Sequence, residues 1–132
     1  MNAMMRTLEI QKVILIVDDD ETYALTLIGE IAQQRPYRVL HASNGYAALK
    51  FTRYFRPHLF IITDRLSRMS GLELYDKLHL HKPLQDIPVL MISGGLVCSE
   101  MRKRQIVALG RPFEVCELLQ KIDLLLNECR PP

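Results

Sequence analysis

The chain has 132 residues, a formal net charge of +2, and is 48% hydrophobic and 24% charged. That balance belongs to a folded chain with a real core and excludes a disordered one. No apolar run reaches the ~18 residues of a membrane span, and so small a positive surplus gives no argument for a nucleic-acid partner.

The first residues, Met1-Asn2-Ala3-Met4-Met5-Arg6, lack the apolar centre of a signal peptide, so a cytoplasmic location is expected. Cys98, Cys116 and Cys129 are odd in number and show no close-paired spacing. They read as reduced thiols without a metal or redox role. The one basic cluster, Arg102-Lys103-Arg104, reads as a solvated helix face, and DNA binding through it is the weakest of the functional readings.

In chain order, Val13-Ile14-Leu15-Ile16-Val17 is a continuous apolar run, the pattern of a strand buried on both faces of a parallel sheet. It ends abruptly in Asp18-Asp19-Asp20. Three adjacent carboxylates repel one another unless a cation offsets them. In open parallel sheets, ligands bind beyond the carboxyl ends of the strands, where these aspartates fall. A hard cation such as Mg²⁺ suits them, since it takes a few carboxylate oxygens and several waters. The plainer reading is a solvated acidic turn in which Asp19 or Asp20 caps the following helix. These residues alone leave both open.

Helical spacing of Leu25, Ile28 and Ile31 predicts a helix from Glu21 to about Gln34, stopped before Pro36. Tyr37 to Ala42 is a short predicted strand, followed by the turn Ser43-Asn44-Gly45. Tyr46 to Phe55 reads as helical, and Leu59 to Ile62 as a second fully buried strand ending at Thr63-Asp64. Leu72 to about His81 is a predicted helix, Val89 to Ile92 a third buried strand, and Ile106 to Leu109 a shorter one. Val115 to Glu128 closes the pattern as an amphipathic helix with Leu118, Leu119, Ile122, Leu125 and Leu126 inward. Five strand–helix units with short connections predict a right-handed, doubly wound, five-stranded parallel sheet. Residues 12–130 are expected to form one domain behind an N-terminal extension, residues 1–11, with no output domain attached.

Six segments in order carry a resemblance. They are Val13–Asp20, Ala42–Gly45, Pro57–Asp64, Met69–Leu74, Ile87–Gly94 and Arg111-Pro112-Phe113. Together they resemble the receiver domain of two-component response regulators, over roughly residues 12 to 128. The resemblance implies a flavodoxin-like fold in which Mg²⁺ assists phosphoryl transfer from a histidine kinase to an aspartate. By position, Asp18 and Asp19 are the implied Mg²⁺-binding pair, and Asp64 is the candidate acceptor and third ligand. Ser93 is the hydroxyl that contacts the phosphoryl group, and Arg111 stands where the family has lysine. The implied partners are a histidine kinase and a downstream signalling protein, with no nucleic acid or membrane. Whether the chain is monomer or homodimer stays open. It is not an enzyme beyond self-catalysed phosphoryl transfer and autodephosphorylation.

The chemistry is coherent. A carboxylate is a poor nucleophile toward an anionic donor, and a divalent ion on Asp18 and Asp19 would neutralise both partners. Arg111 and Ser93 would then hold the acylphosphate. The altered charge can bias a bistable loop.

Several positions depart from the family. Its acceptor lies six residues after the proline and eight before the glycine, and counting from Pro57 or from Gly71 gives Thr63, not Asp64. A one-residue slip moves a side chain ~3.3 Å and to the other face of a strand. A bulge at the strand end would restore Asp64. Thr63 is a poor substitute, since its neutral hydroxyl needs a strong base and gives a stable ester. Arginine at 111 keeps the charge but not the shape of lysine. Ala108 stands where the family has its switch aromatic. The stretch from Ser93 to Arg111 is short by about one helical turn, ~4 residues, so the fourth helix region is shortened and the usual signalling face rebuilt or lost. Gly94-Gly95 suggests a mobile loop, and Arg111-Pro112 matches the family's cis peptide.

The remaining features read plainly. His79 and His81 cannot face one ligand, His41 and His58 sit at strand margins, Asp86 caps the approach to the third buried strand, and the methionines fill the core. Arg65 and Arg68 flank the acidic pocket. Two functions follow: a phosphorylated receiver acting through Asp64, or a pseudo-receiver that binds protein without phosphorylation.

Overall fold

The computed structural model describes residues 11–64, 66–95 and 98–127. Five strands alternate with five helices: β1 (Val13–Val17), α1 (Glu21–Gln34), β2 (Arg38–Ala42), α2 (Gly45–Phe51), β3 (Leu59–Thr63), α3 (Gly71–His79), β4 (Val89–Ser93), α4 (Ser99–Lys103), β5 (Val107–Gly110) and α5 (Val115–Asn127). All strand pairs are parallel and the sheet order is β2-β1-β3-β4-β5. This is the expected doubly wound, flavodoxin-like arrangement.

Every residue of β1, β3 and β4 is buried, as their unbroken apolar runs require. Alternation divides them between two cores. Leu15, Val17, Phe60, Ile62 and Met91 pack against Ala48 of α2, Leu74 and Leu78 of α3, and Met101 of α4. Ile14, Ile16, Leu59, Ile61, Leu90 and Ile92 face the other way, onto Ala24, Leu27 and Ile31 of α1 and Leu118, Leu119 and Ile122 of α5. Met69, Met91 and Met101 are buried, as filler methionines should be.

The differences from the sequence reading are local. The predicted strand at Tyr37 starts at Arg38, and the one predicted at Ile106 runs from Val107 to Gly110. Tyr37 instead turns its hydroxyl to Asp123 of α5 at 2.8 Å. The helix expected from Tyr46 to Phe55 stops at Phe51, and Thr52 to Tyr54 form a turn closed by bonds to Ala48, Lys50 and Phe51 carbonyls. The helix expected to reach His81 ends at His79. Leu126 is half-buried. Asp86 is exposed and makes no side-chain hydrogen bond among the described residues, so it is not the expected cap. Glu128, Cys129, Arg65 and the extension through residue 10 lie outside the described residues. Cys98 and Cys116 are free and exposed.

The shortened helix has a clear stop. After α4, Gln105 has φ 56°. Its N–H reaches the Arg102 carbonyl at 3.0 Å, and the Ile106 N–H reaches Met101 at 3.1 Å. This pair of bonds is a Schellman closure, with Ile106 and Met101 buried together beneath it. Glutamine occupies a left-handed position that suits glycine. Gln105→Gly is therefore expected to stabilise the fold by about 0.5–1 kcal/mol, read as a raised urea midpoint at constant slope.

Helices α1 and α5 are tied by Arg35, whose guanidinium meets the Asp123 carboxylate at 2.8 Å. Burial alone would raise the Asp123 pKa, but the bonds from Arg35 and Tyr37 outweigh it and hold the group below its ordinary 3.8. A depressed folded-state pKa gives stability that is full above about pH 4 and is lost as pH falls through the folded value. Asp123→Asn is expected to cost about 1 kcal/mol at neutral pH. That gap should close in acid, as followed by urea unfolding at a series of pH values.

Candidate functional site

Two clusters form at the carboxyl edge of the sheet. The first is Asp18, which directly follows β1 and is fully buried. Its Oδ1 accepts the Asp20 N–H at 2.9 Å, and its backbone oxygen meets His41 Nε2 at 2.7 Å. Its Oδ2 is buried without a hydrogen-bond partner. Burial is the main cause that raises its pKa, with the charges of Asp19 and Asp20 adding to it, against the Asp20 N–H and the Thr63 hydroxyl, which lower it. Asp19 and Asp20 are exposed, and Asp20 caps α1 by accepting from Tyr23 N at 3.1 Å. The plainer reading of the acidic run thus holds for Asp20, while Asp18 is a buried carboxyl.

The second cluster is Asp64, Ser93, Gly94 and Arg111. Asp64 is the first residue after β3, and its N–H still bonds the Ile92 carbonyl at 3.0 Å. Its Oδ2 accepts the Gly94 N–H at 2.8 Å and the Ser93 hydroxyl at 3.3 Å, and its Oδ1 pairs with Arg111 Nη2 at 2.5 Å. Burial works against the Asp64 charge, but the Gly94 N–H and Arg111 prevail and hold its pKa below the usual carboxylate value. Arg111 follows β5, with its Arg111-Pro112 peptide cis. Its guanidinium lies 5.4 Å from the Tyr23 ring centre, a cation–π distance, and its Nε and Nη1 are buried without partners. Gly94 is confined by this pair: a Cβ there would lie 3.3 Å from Arg111 Nη2.

Thr63 is also fully buried, but its hydroxyl is turned to the Val17 carbonyl at 3.5 Å, on the Asp18 side. The bulge that would restore Asp64 to the Asp18 side is absent. Leu59 to Thr63 run in unbroken register beside both β1 and β4. Asp64 follows Thr63 directly, so its side chain turns to Ser93 and Arg111 while that of Thr63 turns to the Asp18 side.

Asp64 and Ser93 open on a recess of about 280 Å³ closed by Ser70, Gly71, Cys98 and Met101. Among the described residues, no three His, Cys, Asp or Glu side chains gather into a metal cage. Asp18, Asp19 and Asp64 therefore do not form one ready-made ligand set. Ala108 leaves no aromatic side chain at that position and is half-buried against the α3 side core. Sequence reasoning missed the Gly94 N–H as a ligand of Asp64 and Tyr23 as the ring beneath Arg111. No side-chain pattern signals a backbone donor, although the Gly94-Gly95 pair marked the place.

Residues 14–110 match the family described as the response regulator receiver domain. The chain belongs to that family. It is 27% identical over 121 residues to the polar-differentiation response regulator DivK of Brucella anthropi, covering 89% of this chain and 98% of that protein. It is 32% identical to the two-component response regulator-like APRR7 of Arabidopsis thaliana over 81% of its length, which spans only 15% of that longer protein. The fold superposes on the chemotaxis response regulator CheY4 of Vibrio cholerae with a TM-score of 0.81 at 21% identity, over 89% of this chain and all of the other. It matches the signal receiver domain of a histidine kinase from Syntrophus aciditrophicus equally, at 0.81 and 24%, over 92% and 94%. The receiver domain is a component of two-component signal transduction, a family of signalling modules that act with histidine kinases and effectors. Among the described residues, no helix is long and apolar enough to cross a membrane.

Arg111 is the only cation paired with Asp64 among the described residues. Arg111→Ala is expected to move the Asp64 carboxyl titration upward, with Arg111→Lys moving it less. NMR of the carboxyl carbon against pH reads both.

Proposed function

We propose that this receiver domain accepts a phosphoryl group on Asp64 and signals the change to a protein partner. The observation that carries the reading is the donor set around the Asp64 carboxylate: the Gly94 N–H, the Ser93 hydroxyl and the Arg111 guanidinium. Donors that hold a carboxylate at these distances also suit the oxygens of a phosphoryl group. Thr63 has no such set, since its hydroxyl is buried against a backbone carbonyl.

In the proposed step an Asp64 oxygen forms a bond to phosphorus as the bond from phosphorus to the kinase histidine nitrogen breaks. Arg111 leaves Oδ1 and follows the transferred oxygens, keeping the site's charge offset throughout. Ser93 donates to a phosphoryl oxygen, and Gly94 N–H holds the group in line.

The residues at the β1 end fit a Mg²⁺ ion, because the unpartnered buried Oδ2 of Asp18 is an oxygen in need of a cation. Mg²⁺ is usually held by one or two carboxylates and several waters, so a full cage is not required. Asp18 and Asp19 would hold it, and such an ion would supply charge neutralisation to a phosphoryl group brought to this edge. The assignment of Asp64 as a third ligand depends on Arg111 releasing its carboxylate.

Beryllofluoride with Mg²⁺, followed by amide NMR, tests the reading. Wild type and Thr63→Val should respond alike, with changes centred on Ser93 and Gly94, and Asp64→Asn should lose the response. A response that survives Asp64→Asn and disappears in Thr63→Val would assign the chemistry to Thr63 instead. With a small-molecule phosphodonor, the product should be alkali-labile, as an acylphosphate is and a threonine ester is not.

A further inference from the structure

A groove of about 390 Å³ lies at the opposite edge of the sheet, between the turn after α2 and the loop leading to β4. Its floor is Leu49, Pro83 and Leu84, and its rim is Arg53, Arg56 and His81. Arg56 donates from Nε to the Pro83 carbonyl at 2.6 Å, which ties the two walls together. Beside it in the chain stand Tyr54 and Leu80, 85% and 81% exposed, the two most exposed of the large apolar side chains among the described residues.

The charge around this groove is one-sided. Residues 50–56 and 77–82 contain Lys50, Arg53, Arg56, Lys77 and Lys82, with His79 and His81, and no Asp or Glu. Five of the seventeen Lys and Arg residues thus fall in two short stretches of a chain whose net charge is only +2. Without them the rest of the chain is net acidic. Of the acidic neighbours, Asp76 is held by Arg104 at 2.7 Å, and Asp86, exposed and unpaired among the described residues, lines a different recess. No carboxylate pairs with Arg53, Arg56 or Lys82 among the described residues.

We propose that this groove docks an acidic segment of a partner protein that inserts one apolar side chain between its walls. The apolar floor needs a side chain to cover it, and the cations need carboxylates to meet them. A nucleic-acid backbone would satisfy the cations and leave the floor empty. The surface lies across the sheet from Asp64, ~17 Å away along the strands, so it is a second binding face and does not rest on phosphoryl chemistry.

The test is fluorescence anisotropy of the full chain with a fluorescein-labelled peptide of Glu and Leu, the leucines at helical spacing. Saturable binding is expected, falling as salt rises. The double variant Arg53→Glu, Arg56→Glu and, separately, Tyr54→Ser, Leu80→Ser should each weaken it about tenfold or more. All four positions are exposed, and circular dichroism verifies that the variants fold. The same peptide with serine for leucine should bind far more weakly. Absence of peptide binding, or equal binding by wild type and the charge-reversed variant, overturns the proposal. Tighter binding of polyuridine, or of phosphatidylserine vesicles, than of the peptide overturns it as well.

Discussion

Two unbroken parallel ladders hold β3 between β1 and β4, and what the carboxyl edge can do follows from that register. Val17 is level with Ile62, and Thr63 with Ile92, so Thr63 emerges beside Asp18 and Asp64 beside Ser93. Alternation then sends the two side chains to opposite sides. Thr63 is buried over the Val17 carbonyl, while Asp64 turns to Gly94 and Arg111. Because every residue of β3 is buried, slipping the strand by one would expose one core to the other's packing. The register is therefore fixed, and any change in loop length must be absorbed outside it.

That explains which parts of the fold and site were legible in the sequence. Two-sided burial is written directly in Val13–Val17, Leu59–Ile62 and Val89–Ile92, so the sheet and its parallel sense follow from residue type alone. Element ends were less legible, because Gly45, Gly71 and Gly110 extend their elements where turn chemistry suggested a break. Counting from Pro57 or Gly71 gives Thr63, and only the three-dimensional register shows that it is Asp64, one residue on, whose carboxylate meets Ser93, Gly94 and Arg111. The Gly94 N–H was invisible for a different reason: a backbone donor has no residue type to announce it.

Arginine in place of lysine is consistent with the surroundings it has here. Its planar head lies over the Tyr23 ring while one nitrogen reaches Asp64, an arrangement that uses both the face and the edge of a guanidinium. An ammonium has no face to lay on a ring in that way. The α1 helix that carries Tyr23 is thereby linked to the β5 end and to Asp64. A change of charge on Asp64 would be felt at α1 through Arg111, in a chain where position 108 has no aromatic side chain to carry it.

The shortened α4 points the same way. Its Schellman closure places Arg104 where it grips Asp76 of α3 at 2.7 Å and Glu100 of its own helix at 2.9 Å, and Tyr75 donates to the Arg104 carbonyl at 3.3 Å. The hydrogen bonds to Asp76 and Glu100 raise the Arg104 pKa and lower those of the two carboxylates. Individually, such partly exposed pairs add little stability. Together they anchor the one-turn helix to α3, and α3 carries at its N-terminal end the Ser70 and Gly71 that close the Asp64 recess. Helix α3 thus runs from the Asp64 recess at the carboxyl edge to His79, two residues before the His81 that lines the basic groove, so the two surfaces share one element of the fold.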